Sequence, residues 1–110
     1  MGVEPAACAS FAAARAAGEP VGVATRPTVA DGLAVPKVGA RAFAVADPLI
    51  DKLIQVDEQS VALAVLRLME LSKSAVEGGG AAGVAALLAG QLQVHKDPCC
   101  EFLKSSDVHP

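Results

Sequence analysis

The segment "EQSVALAVLRLMELS", residues 58–72, limits this chain more than any other. It reads as a helix whose polar residues form a narrow stripe of Ser60, Arg67, Glu70 and, just past its end, Ser74. Val61, Ala62, Leu63, Ala64, Val65, Leu66, Leu68, Met69 and Leu71 fill the other positions, so the helix needs cover on more than one side. Asp57 stands where an N-cap belongs, and Glu58 in the first turn meets the positive end of the helix dipole. A second stretch, about Gly80–Leu88, is almost wholly small and apolar and also calls for burial. A chain of 110 residues makes one domain at most. Two buried helices and a few short strands cannot all cover one another in that length. The chain therefore reads as a piece of something larger.

The remaining elements are short. An alanine-rich helix is expected from Pro5 to Ala17, stopped by Gly18 in the position of a C-terminal glycine cap. Residues 20–36, rich in proline and glycine, form a long loop, with a short strand at Val21–Ala24. A helical stretch follows from Gly39 to Ala46, broken near Pro48, and Lys52–Val56 reads as a short buried strand. Fifty-three per cent of the residues are hydrophobic, with three Phe and no Trp or Tyr, so the core must be packed from short side chains, which suits close helix–sheet layers. After Leu92 the hydrophobic periodicity stops. Residues 1–92 are expected to be the folded part and 93–110 a divergent, disordered tail.

Composition narrows the function. Nine Lys and Arg against twelve Asp and Glu give a net charge of −3, with no basic run, which argues against nucleic acid as a partner. The longest apolar run, Ala81–Ala89, is about half a membrane span, and no signal peptide opens the sequence, so no membrane partner is expected. Three cysteines, Cys8 and the adjacent Cys99 and Cys100, do not form a disulfide framework and point to a reducing, cytoplasmic compartment.

Several residues invite a functional reading. "EGGGAAGVAALLAG", residues 77–90, fits the G-x-G-x-x-G spacing through Gly78, Gly80 and Gly83. That fingerprint needs a strand before it and a second strand ending in an acid about 20 residues on. "SAVE" before it is too short and no second strand follows, so close backbone packing explains the glycines better. His95, Cys99, Cys100 and His109 lack the ligand spacing of a zinc site. Glu4, Asp31 and Glu77 are acids beside proline or glycine, with no histidine near them in sequence.

Four stretches taken in order go further: "GVEPAACASFAAARAAGEPV", "TVADGLAVPKVG", "LIDKLIQVDEQSVALAVLRLMELSKSAVEG" and "GAAGVAALLAG". Over about residues 2–92 they resemble the threonine/serine dehydratase (threonine ammonia-lyase) family, pyridoxal-phosphate-dependent enzymes related to serine racemase. The specific parts are "TVADGLAV" and "VEGGGAAGVAALLAG". The resemblance implies an α/β fold, part of the layered sheet-and-helix catalytic domain of the tryptophan synthase beta-like (fold type II) enzymes, incomplete at both ends. It implies that Glu77, Gly78, Gly79 and Gly80 border the cofactor on its ring side, with Gly79 where many relatives carry alanine. Ala30, Asp31 and Gly32 would line the same pocket. It also implies a divalent cation site, magnesium or calcium, at Glu4, the Cys8 carbonyl and Ser10, although Ser10 offers a hydroxyl where relatives offer a second acid, and hard cations favour carboxylates.

The family's Schiff-base lysine, its phosphate loop and its Ser/Cys-Gly-Gly-Asn strand match nothing in this sequence, so no catalytic residue is assigned. The implied parent activity is dehydration and deamination of L-threonine or L-serine to a 2-oxo acid and ammonia, in a homo-oligomer, with this chain alone inactive. The alternatives are a catalytically dead fragment docked onto a full-length subunit or other partner, and serine racemization.

Overall fold

The structure is a computed structural model and describes residues 1–92. The first strand, β1, spans Gly2–Pro5, and a single turn of 3-10 helix at Ala6–Cys8 leads into helix α1, Ser10–Ala17. Gly18 ends α1 at φ 78°, the left-handed conformation that glycine adopts without a Cβ penalty. A long loop, interrupted by a 3-10 turn at Asp31–Leu33, leads to helix α2, Ala40–Ala46. Asp47–Leu49, carrying Pro48, closes α2 as a second 3-10 turn before strand β2, Leu53–Val56. Helix α3, Glu58–Ser72, and helix α4, Gly78–Leu88, complete the described chain.

β1 and β2 pair in parallel, with Gly2 opposite Leu53 and Pro5 opposite Val56. A parallel pair requires a crossover, which α1, the long loop and α2 supply. Arg15 of α1 secures that crossover. Its Nε donates to Asp47 Oδ1 at 2.7 Å, and its Nη2 donates to the carbonyls of Asp47 (2.9 Å) and Ile50 (2.5 Å). Phe11 of α1 packs on Phe43 of α2, ring centroids 5.5 Å apart.

The core lies where α4 meets α3 and the two strands. Ala81, Ala82, Ala85 and Ala86 of α4 are buried against Ile54 and Val56 of β2 and Val61 and Ala64 of α3. Alanine on one face lets α4 approach closely, which compensates for the missing large aromatics. Only part of α3 is covered. Leu66, Met69 and Leu71 are 48%, 53% and 78% exposed, in keeping with a helix that needs cover on a second side.

Three expectations differ from the structure. Val21–Ala24 is not a strand; its one backbone bond, Val23 N–H to the Pro36 carbonyl at 2.8 Å, fastens the long loop to itself. The helix expected to follow Pro5 begins only at Ser10, after a strand at Gly2–Pro5 and a 3-10 turn at Ala6–Cys8. α4 starts at Gly78 rather than Gly80, so all three consecutive glycines are helical. The tail at 93–110 and the group His95, Cys99, Cys100 and His109 lie outside the described residues.

Candidate functional site

In open α/β sheets, ligands are bound beyond the carboxyl ends of the parallel strands. Here the long loop is fastened across both of those ends. Beyond β1, Arg26 N–H donates to the Ala7 carbonyl at 3.0 Å. Beyond β2, the Glu58 carboxylate accepts from the Thr28 hydroxyl at 2.6 Å and from Val29 N–H at 2.7 Å. The buried Cys8 thiol donates to the Val35 carbonyl at 3.2 Å and anchors the loop's far side. The backbone leading to Ala30, Asp31 and Gly32 is thereby held in place.

Glu77, Gly78, Gly79 and Gly80 meet this loop from α4. A Cβ on Gly78 would lie 2.2 Å from the Val29 carbonyl oxygen, 2.5 Å from its carbon and 2.9 Å from Ala30 N. Only glycine allows this approach. Ala30 is fully buried at the junction, whereas Asp31, Gly32 and Glu77 face outward. Glu77 is the N-cap residue of α4 but makes no side-chain cap bond. Its Oε1 lies 3.8 Å from where a Cβ on Gly32 or on Gly79 would stand. Two segments 47 positions apart in sequence thus share one surface of glycine backbone and carboxylate. The glycines form the first turn of a helix rather than a loop, so Gly79 sits on the rising helix.

Glu4, Cys8 and Ser10 gather at the N-terminus of α1. The Glu4 carboxylate is buried and accepts from Phe11 N–H and Ala12 N–H, both at 3.0 Å. Burial pushes its carboxyl above the usual range, and the bonds from Ala12 and Phe11 oppose that shift. The N-cap residue Ala9 has no polar side chain to offer, so Glu4 serves as the cap of α1 from outside the helix. Ser10 is buried beside it. A cation would compete with two backbone donors for this carboxylate.

Glu58 escaped the sequence reading because a glutamate in a first helical turn is explained by the dipole alone. Its place at the carboxyl end of β2 was the available signal. Among the described residues no three His, Cys, Asp or Glu side chains form a metal-binding group. No strand leads directly into Gly78, which follows α3 and residues 73–77, so the dinucleotide fingerprint lacks its framework. Lys52 Nζ donates to the Gln91 carbonyl and Lys73 Nζ to the Glu70 carbonyl.

Residues 1–103 match the family described as "Pyridoxal-phosphate dependent enzyme". The L-threonine ammonia-lyase of Geobacter sulfurreducens is 42% identical over 88 residues, which is 80% of this chain and 22% of that protein. Among solved structures, the threonine deaminase of T.th. superposes with a TM-score of 0.78 at 29% identity, covering 86% of this chain and 35% of that one. Maize serine racemase superposes with a TM-score of 0.73 at 34% identity, covering 80% and 26%. The chain thus spans about a quarter of the curated relative it matches, and it shares the α/β architecture of these structures.

Proposed function

The chain belongs to the pyridoxal-phosphate-dependent enzyme family, and on that premise we propose that residues 1–92 form one wall of the cofactor pocket of an ammonia-lyase acting on L-threonine or L-serine. The observation that carries this reading is the junction of Gly78 with Val29 and Ala30, which joins the two family motifs into one surface. That surface fits a flat ring. Gly32 and Gly79 present backbone beside Glu77, and Leu33, whose Cγ lies 3.5 Å from where a Cβ on Gly79 would stand, adds an apolar edge to the same surface. Pyridoxal phosphate, when bound, supplies the electron sink that lets an α-proton leave the amino acid. The chain's share is positional: Asp31 and Glu77 fix negative charge at the wall, and Ala30 closes it against the core. The reaction would eliminate the β-hydroxyl as water, and hydrolysis of the released imine would take a water back up and free the nitrogen as ammonia, leaving a 2-oxo acid. None of the three described lysines, Lys37, Lys52 and Lys73, matches the family's covalent lysine, so that role is assigned to no described residue. We assign the protein to the cytoplasm and to a homo-oligomer. A magnesium or calcium ion at Glu4, Cys8 and Ser10 belongs to the same reading, and Ser10→Asp should strengthen any stabilisation by either ion.

A second reading, a catalytically silent chain docked on a full-length subunit, is favoured by the uncovered face of α3 at Leu66, Met69 and Leu71. Grafting residues 1–92 in place of the matching segment of the Geobacter sulfurreducens enzyme separates the two. The expected result is 2-oxo acid formed from L-threonine or L-serine; D-serine as the main product would favour racemization. A graft that folds and holds cofactor yet makes neither product would leave the docking reading. The 110-residue chain itself should bind pyridoxal phosphate weakly. After borohydride treatment, peptide mapping should label no single lysine; stoichiometric labelling of one would overturn this.

A further inference from the structure

We propose that Glu58 is a positioning residue for the cofactor wall, acting through Thr28 and Val29; the proposal rests on the wall reading above. Asp57 fixes the start of α3 by accepting Ser60 N–H at 2.7 Å, which sets the direction in which Glu58 leaves the helix. Both Glu58 oxygens are then used on the loop, one by the Thr28 hydroxyl and one by Val29 N–H. The Thr28 oxygen in turn accepts from Ala30 N–H at 3.1 Å. Three consecutive residues, Thr28, Val29 and Ala30, are therefore held by one carboxylate and one hydroxyl.

Val29 is fastened from two directions. Its N–H is bound by Glu58, and its carbonyl lies against Gly78. If the carboxylate were removed, the loop could move off Gly78 and draw Ala30 out of the core it shares with α4, while the contacts of the α4 alanines with Val61 and Ala64 of α3, which do not involve Glu58, would remain. The consequence is specific to the wall. Asp31 and Gly32 would lose their register with Glu77, and the flat surface would no longer be defined. Hydrogen bonds to a charged acceptor are stronger than neutral ones, so one carboxylate can outweigh the freedom of a short loop segment.

The grafted enzyme, compared with its Glu58→Ala, Glu58→Gln and Thr28→Val variants, tests this. Amide hydrogen exchange at Val29 and Ala30 should accelerate about tenfold or more in Glu58→Ala, while the amides of α4 keep their protection. Affinity for pyridoxal phosphate should fall by a similar factor. Glu58→Gln retains one acceptor and should restore part of both losses. Unchanged exchange at Val29 and Ala30, or faster exchange with unchanged cofactor affinity, would overturn the proposal. If Glu58→Ala does not fold, Glu58→Gln decides alone, faster exchange with weaker cofactor binding supporting the proposal and no change in either overturning it, while Thr28→Val reports on the Thr28 hydroxyl that Ala30 N–H uses. A parent graft that binds no cofactor would count against the wall reading, while the exchange data would still decide whether Glu58 holds the loop.

Discussion

Gly78 and Gly83 occupy the same helix and answer to opposite physics. Gly78 faces backbone, with a Cβ position 2.2 Å from the Val29 carbonyl oxygen, whereas Gly83 is exposed with nothing within 4 Å. Gly78→Ala should therefore force the loop and helix apart and destabilise the grafted enzyme by about 1–3 kcal/mol, with a loss of cofactor affinity. Gly83→Ala should stabilise it by about 0.5–1 kcal/mol, by restricting the unfolded chain and favouring the helix. Thermal melts of the two variants check both signs, and equal effects would mean that the close approach is not what Gly78 is for. The close-packing role of Gly78 was legible from the sequence, since the pattern lacked the strands a phosphate site requires, but the same reading fails for Gly83, which packs against nothing. Which backbone they approach was not, because Val29 lies 49 positions before Gly78. The partners of Glu58 were hidden for the same reason: a side chain that bonds 29 and 30 positions away leaves no local pattern.

At the scale of elements, α1 and α3 are capped by acids of opposite pH behaviour. Asp57 is exposed, and its bonds with Ser60 lower its carboxyl, so its contribution is present above the ordinary range and is lost as pH falls. Glu4 is buried and raised above its ordinary value of about 4.5. A raised carboxyl binds its proton more tightly in the folded state, so its contribution is full below about pH 4.5 and is lost as pH rises through the folded value. With a chelator present, so that no cation holds the Glu4 carboxylate, the melting temperature of the grafted enzyme relative to its Glu4→Gln variant should thus fall as pH rises through the weakly acidic range. The comparison with Asp57→Asn should run the other way; parallel slopes would show that the two caps are not electrostatically distinct. Asp57 was legible because a cap next to a periodic segment is a local signal. Glu4 was not, since it caps a helix whose first residue lies six positions on, and a strand ending in proline hid its element as well. The start of α4 was misplaced because a run of three glycines has poor helix propensity, and burial against the Ala30 loop overrides that preference.

At the scale of the whole molecule, the described residues leave much apolar surface in water. Leu66, Met69 and Leu71 of α3 and Leu87 and Leu88 of α4 are all exposed, as are Val45 and Leu49 near α2. Among the described residues the sheet has two strands of four residues each, so each strand keeps an outer edge there, to which the Gln91 side chain adds a bond to the Gln55 carbonyl at 3.0 Å. Parallel strands are ordinarily buried on both faces and extended by neighbours. At roughly 25 cal/mol per Å² of apolar surface, leaving one face of each helix wet forgoes several kcal/mol. Net stabilities are only about 5–15 kcal/mol, so a shortfall of that size decides the outcome. The buried alanines of α4 do not offset it, because each contributes little area. The 110-residue chain on its own should therefore be helical by far-ultraviolet dichroism, bind hydrophobic dyes strongly, melt without a cooperative transition and self-associate as concentration rises. Replacing Leu66, Met69 and Leu71 together with polar residues should reduce that association without restoring cooperativity, since the sheet edges remain open. A monomer by sedimentation, with a sharp melt at a concentration-independent temperature, would show instead that the α3–α4 core and two short strands suffice to hold this wall together.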